Sequence, residues 1–139
     1  MPAAENIVAM HRLYDEAFNQ GKVDVIDDLT DPTFVDNDAA NSTRDVAGLK
    51  NFVLAFRGAF PDGRFRVEDT LTDGEKVVCR FSVTGTHRGD FMGIPSTGNA
   101  LKISGIDIIQ FAHGKAIEHW GEFDGLGMLR QLGVMPSAG

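Results

Sequence analysis

The chain has 139 residues, 42% hydrophobic and 24% charged, the balance of one folded domain and not of a disordered chain. Its 13 Lys and Arg against 20 Asp and Glu leave a net charge of −7, which excludes the basic surfaces that nucleic acid and anionic membranes require. A single cysteine, Cys79, excludes an internal disulfide and a cysteine-rich zinc site. Charges at Glu5, His11, Arg12 and Asp15 interrupt any apolar run that could serve as a signal peptide, and no later stretch approaches ~18 apolar residues. The expectation is a single cytoplasmic domain over residues 1–139, with no nucleic-acid or membrane partner.

The first residues predict helices. Over residues 4–20, Ile7, Met10, Tyr14, Ala17 and Phe18 form an apolar stripe of helical spacing, stopped by Gly21. A short helix over 23–29 follows and ends at an Asp31-Pro32 turn. A third helix over 45–60 carries Val46, Leu49, Phe52, Val53, Phe56 and Phe60 on one side, and Pro61-Asp62-Gly63 closes it. The period then changes to two. Phe65, Val67 and Leu71 alternate with polar residues, and Lys76–Thr86 reads as a strand with Val77, Cys79, Phe81 and Val83 on one face. Residues 85–98 read as a glycine-rich loop, 100–111 and 116–123 as strands, and 125–132 as a short helix that Asp124 caps. Helices followed by a meandering sheet predict an α+β domain. Apolar residues on both faces of 100–111 predict that both faces are covered, one by helices and the other by a second subunit.

The hairpin over 105–123 carries the most chemistry. If Ala112-His113-Gly114 forms a three-residue loop with Gly114 left-handed, Asp107 pairs directly with His119 and Ile109 with Ile117. The face they share is otherwise apolar: Ile103, Ile109, Ile117 and Phe123. A two-residue His113-Gly114 loop instead pairs Asp107 with Trp120 and separates the two groups. An Asp–His pair on an apolar face suits acid–base catalysis, because the carboxylate raises the imidazole pKa while burial lowers it. A purely structural pair is the alternative. No His spacing typical of a metal site and no GxGxxG between strand and helix occurs, so no metal or nucleotide is expected.

Several segments together carry a family resemblance. Residues 85–98 (GTHRGDFMGIPSTG), 104–109 (SGIDII), 118–120 (EHW), 129–133 (LRQLG) and Phe34-Val35-Asp36 resemble the SnoaL-like polyketide cyclases and predicted ester cyclases of the nuclear transport factor 2-like superfamily. The resemblance implies a cone in which a curved sheet wraps helices and encloses an apolar pocket, and a homodimer formed through sheet faces. In characterised cyclases of that family an aspartate two residues beyond the strand histidine moves the protons of an aldol ring closure. Here that position is Gly121, and the position of a family histidine holds Asp107.

The resulting expectation is a cofactor-free acid–base catalyst of the cyclase or isomerase type, acting on a small apolar carbonyl compound. His119 is the expected base and Asp107 its orienting partner. Asp36 or Asn37, at a family pocket position, polarises a carbonyl or positions water. Phe52, Phe56, Ile109, Ile117 and Phe123 line the pocket, with His87 at its mouth. Two alternatives stay open: a non-catalytic binder of a hydrophobic metabolite, and a water-activating hydrolase of the epoxide type.

Overall fold

The computed structural model describes residues 3–38 and 43–135. Helix α1 (Ala3–Arg12) continues into a π-helical turn (Leu13–Phe18), followed by α2 (Val25–Leu29), β1 (Thr30–Asp36) and α3 (Val46–Ala59). Strands β2 (Arg64–Asp73), β3 (Lys76–Thr86), β4 (Ala100–Ala112) and β5 (Lys115–Phe123) come next, and α4 (Gly125–Gln131) ends the fold. The sheet order is β1-β5-β4-β3-β2, with β1 parallel to β5 and every other neighbour antiparallel. This is the α+β arrangement that the sequence predicts. No helix among the described residues is long and apolar enough to cross a membrane.

Side chains on one sheet face, including Val77, Cys79, Phe81, Val83, Ile103, Ile109 and Phe111, join Met10, Tyr14, Phe18, Val53 and Phe56 from the helices in one buried core. Local chemistry sets the helix starts. The Asp45 carboxylate accepts from Gly48 N at 2.9 Å, and that of Asp124 from Gly127 N at 2.9 Å. Each such cap contributes about 1 kcal/mol.

The strands depart from the sequence reading in three places. Asp31-Pro32 is not a turn but part of β1. Proline cannot donate to a ladder, and it is tolerated here because β1 is an edge strand whose register breaks between Thr30 and Val35. In β2 a bulge at Glu68 reverses the alternation. Leu71 therefore leaves the core face and is 65% exposed, beside Val78, Ile108 and Trp120 in the rows across the outer face.

The third departure is the β4–β5 hairpin. Its turn has two residues, His113 (φ 52°) and Gly114 (φ 76°), the left-handed pair of a type I′ turn. A bulge at Ile117 then inserts one residue, so that Gln110 pairs with Glu118, Ile109 with His119 and Asp107 with Gly121. Neither register read from the sequence holds. The short turn alone would have put Asp107 and His119 on opposite faces, and the bulge restores them to one face as diagonal neighbours.

Candidate active site

A row of hydrogen-bonded side chains crosses the inner face of the sheet. Parallel pairing of β1 with β5 sets Asp36 beside His119. The Asp36 carboxylate lies 2.8 Å from His119 Nδ1, and Asp107 Oδ1 lies 2.8 Å from His119 Nε2. The other Asp107 oxygen, Oδ2, accepts a hydrogen bond from the Tyr14 hydroxyl, and Cys79 Sγ donates to that hydroxyl at 3.3 Å. Each member comes from a different element: β1, β5, β4, the π turn and β3.

Burial makes this row electrostatically demanding. Asp36 is fully buried, Asp107 is 7% exposed and the His119 side chain 15% exposed. Burial alone lowers the imidazole pKa, but hydrogen bonds and charge from Asp107 and Asp36 overcome it and raise His119 to about 10. His119 is therefore an imidazolium at neutral pH, donating from both ring nitrogens. Burial, then the Asp107 charge, lifts Tyr14 well above its usual range, and burial pushes Cys79 up to about 12. Both stay protonated and act as donors.

The row opens on a cavity of about 90 Å³, room for several waters by the ~10–15 Å³ that each requires. All of the ten phenylalanines except Phe111 line it, with Leu49, Val83, Leu101, Ile103, Ile109 and Met128. Its polar groups are Tyr14, Thr30, Asp38, Asp107 and His119, with no Lys or Arg. A more open recess of Asn37, Asp38, Met92, Gly121, Glu122, Phe123 and Gly125 shares Asp38 and Phe123 with it.

Of the residues expected at the site, the structure brings together Asp36, Asp107 and His119, and Phe52, Phe56, Ile109 and Phe123 line the cavity. Asp36, on the far side of the His119 ring from Asp107, is not among the residues that line the cavity, and its carboxylate is engaged with His119 Nδ1. The Asn37 amide is spent on Glu118 and on the His119 carbonyl, at 3.0 and 3.1 Å. Ile117 is the bulge residue, and Ala116 takes its place in the wall. His87 is fully buried behind Phe60, stacked on it at 5.3 Å, with Nδ1 3.0 Å from Thr97 Oγ1. Tyr14 was legible only as a helix-stripe residue; nothing local in the sequence marks its hydroxyl. Asp36, His119 and Asp107 form a line with the imidazole in the middle. Among the described residues no group of three or more His, Cys, Asp or Glu is arranged to hold a metal ion.

Gly121 has a clear reason in this geometry. A Cβ there would meet Asp107 Oδ1 at 2.4 Å and the His119 ring at 2.9 Å. The Asp107 carboxylate occupies the space that a side chain at 121 would take. The model of the SnoaL-like polyketide cyclases matches residues 8–132. The chain belongs to the SnoaL-like polyketide cyclase family. It is 28% identical over 122 residues to the aklanonic acid methyl ester cyclase DnrD of Streptomyces peucetius, covering 85% of this chain and 84% of that one. It is 29% identical over 136 residues to the aklanonic acid methyl ester cyclase AcmA of Streptomyces galilaeus, covering 94% and 92%. The solved structure of TsrD from Streptomyces laurentii superposes with a TM-score of 0.89 at 27% identity, over 97% of this chain and 99% of that one. The fold of this SnoaL-like chain is accordingly the nuclear transport factor 2-like cone that the sequence resemblance implied.

Proposed function

We propose that the protein is a cofactor-free cyclase closing a ring in a neutral, ester-bearing polyketide by intramolecular aldol addition, with Asp107 as the acid–base group. Asp107 takes a proton from a carbon activated by neighbouring carbonyls, leaving an enolate. The enolate carbon attacks a second carbonyl of the same molecule; a C–C bond forms and the carbonyl π bond becomes an alkoxide. Asp107 returns the proton to that oxygen, so reactant and product are isomers. The negative charge moves from Asp107 to the substrate and back, and His119 stays close to it as a fixed cation. His119, with both nitrogens donating, has no lone pair for proton abstraction, and the role of base passes to Asp107.

The single observation that carries this reading is Asp107 itself: a carboxylate on the cavity wall, standing in the space of the missing side chain at Gly121. The aromatic lining suits a flat polycyclic substrate. In the lining the carboxylates of Asp38 and Asp107 outnumber the one cation, His119, which disfavours a free carboxylate and suits its ester. The cyclases DnrD and AcmA are named for a methyl ester.

The test is incubation with aklanonic acid methyl ester and related polyketide methyl esters, followed by chromatography for a ring-closed product of unchanged mass. Asp107→Asn is run in parallel. Cyclisation by the wild type, reduced ~10²-fold or more by Asp107→Asn, supports the reading. Tight retention of one ester with no turnover returns the protein to the metabolite-binder class, and ¹⁸O uptake from water to the hydrolase class.

We also propose a homodimer formed through the outer sheet face. Leu71, Val78, Ile108 and Trp120 make an apolar row across four strands, and Ile106, 51% exposed, sits beside it between Arg80 and Glu122. A twofold pairing of such a face can set the Arg of one copy against the Glu of the other.

A further inference from the structure

Tyr14 belongs to the π-helical turn, where the Asn19 N–H reaches back to the Tyr14 carbonyl at 2.9 Å. Such turns are rare and gather at functional sites, since they add a residue per turn and re-aim side chains. This one is anchored at its end. Asn19 Nδ2 donates to the Phe65 carbonyl at 2.9 Å, and the Phe65 N–H donates to Asn19 Oδ1 at 2.7 Å. The ring is 2% exposed and lies 5.8 Å from Phe65 and 6.1 Å from Phe81. Its hydroxyl sits between Asp107 Oδ2 and Cys79 Sγ.

We infer that Tyr14, oriented by Cys79, is a positioning residue for Asp107: its hydroxyl holds the carboxylate in one rotamer and shares its negative charge with His119. The charged and titratable groups facing Asp107 are His119 from β5, with Asp36 of β1 behind it, Tyr14 from the π turn and Cys79 from β3. Asp38 lines the same cavity. Two donors divide one carboxylate's charge. Removing Tyr14's hydroxyl concentrates that charge on the bond to His119 and disfavours the anionic form of Asp107. The thiol acts one step earlier: by donating to the hydroxyl oxygen it directs the hydroxyl proton toward Asp107 and strengthens that donation.

The catalytic consequence rests on the cyclase reading, whereas the hydrogen-bond consequence does not, so two readouts are needed. In ¹⁵N-labelled protein, Tyr14→Phe is expected to move the His119 Nε2–H proton downfield while Nδ1–H, bonded to Asp36, stays in place. Cys79→Ala leaves both Tyr14 and Asp107 intact and is expected to move the same proton in the same direction by less. In the turnover assay, Tyr14→Phe is expected to lower kcat ~10-fold or more with KM within about twofold, and to move the acid limb of the kcat/KM profile to higher pH. An Nε2–H proton unmoved in both variants overturns the inference, whatever the activity. A shifted proton in a protein that turns over no ester upholds the positioning of Asp107 and counts only against the cyclase reading. A shifted proton with wild-type kcat and pH profile, in a protein that does cyclise, overturns the catalytic part.

Discussion

Gly121 stands directly opposite Asp107 in the β4–β5 ladder, and a methyl group there would come within 2.4 Å of Asp107 Oδ1. The two positions share one space, and in this chain the Asp107 carboxylate fills it from β4. Gly121→Ala is therefore expected to force Asp107 away from His119. Thermal unfolding should show a loss of about 1–3 kcal/mol, the usual cost of overpacking. The His119 Nε2–H resonance should shift with it. An unchanged melting curve and spectrum would mean that the space is not shared.

The same geometry allows a transfer. Asp107→Ala is expected to abolish cyclisation. Asp107→Ala removes the carboxylate that crowds position 121, leaving the His119 ring at 2.9 Å as its close neighbour, and adding Gly121→Asp puts a carboxylate back beside that ring. Rates of the single and double variants on one ester decide it: the double variant should recover at least ~10-fold over the single one. No recovery would tie the chemistry to the β4 position.

His119 makes stability depend on pH in a definite sense. Its folded pKa is raised to about 10, so the folded state holds a proton that the unfolded chain, with an ordinary imidazole, has released above ~6.5. This contribution is complete below about pH 6.5 and is lost as pH rises through about 10. Denaturant midpoints should fall between pH 7 and 10, and the slope should flatten in His119→Asn. In ¹⁵N spectra both His119 ring nitrogens should carry protons at pH 7.5.

Cys79 is fully buried, with its thiol pushed up to about 12 by burial and then by the Asp107 charge. It is expected to resist a thiol reagent in the native protein at pH 8 and to react fully in guanidinium. Rapid native labelling would show that the core around Cys79 opens.

The outer face predicts the assembly. Light scattering should give about twice the 15.1 kDa protomer mass, and Ile106→Glu, on the face away from the cavity, should give a monomer that keeps the Asp36–His119–Asp107 row. A wild type that runs as a monomer at micromolar concentration would remove the dimer proposal.

Periodicity alone determined much of this protein. The shift from a helical stripe through Met10, Tyr14 and Phe18 to alternation through Val77, Cys79 and Phe81 set the α+β class and assigned most core residues. It works because each side chain in a regular element faces a direction set by its local backbone. The resemblance in 85–98, 104–109 and 129–133 supplied the family, and with it the pocket. The sequence also singled out Asp36, Asp107 and His119.

Only the tertiary structure decided how these residues meet. Two bulges, at Glu68 and Ile117, reverse the strand alternation, and an inserted residue leaves no compositional mark. One exposed Leu71; the other made Asp107 and His119 diagonal neighbours and left Asp107 facing Gly121. The parallel pairing that brings Asp36 to His119 joins residues 83 apart in the chain, and the Tyr14–Asp107 bond joins residues 93 apart. No local pattern encodes a partner at that distance. The proton on His119 follows from the same cause: its charge is set by two carboxylates that only the folded sheet places on either side of the ring.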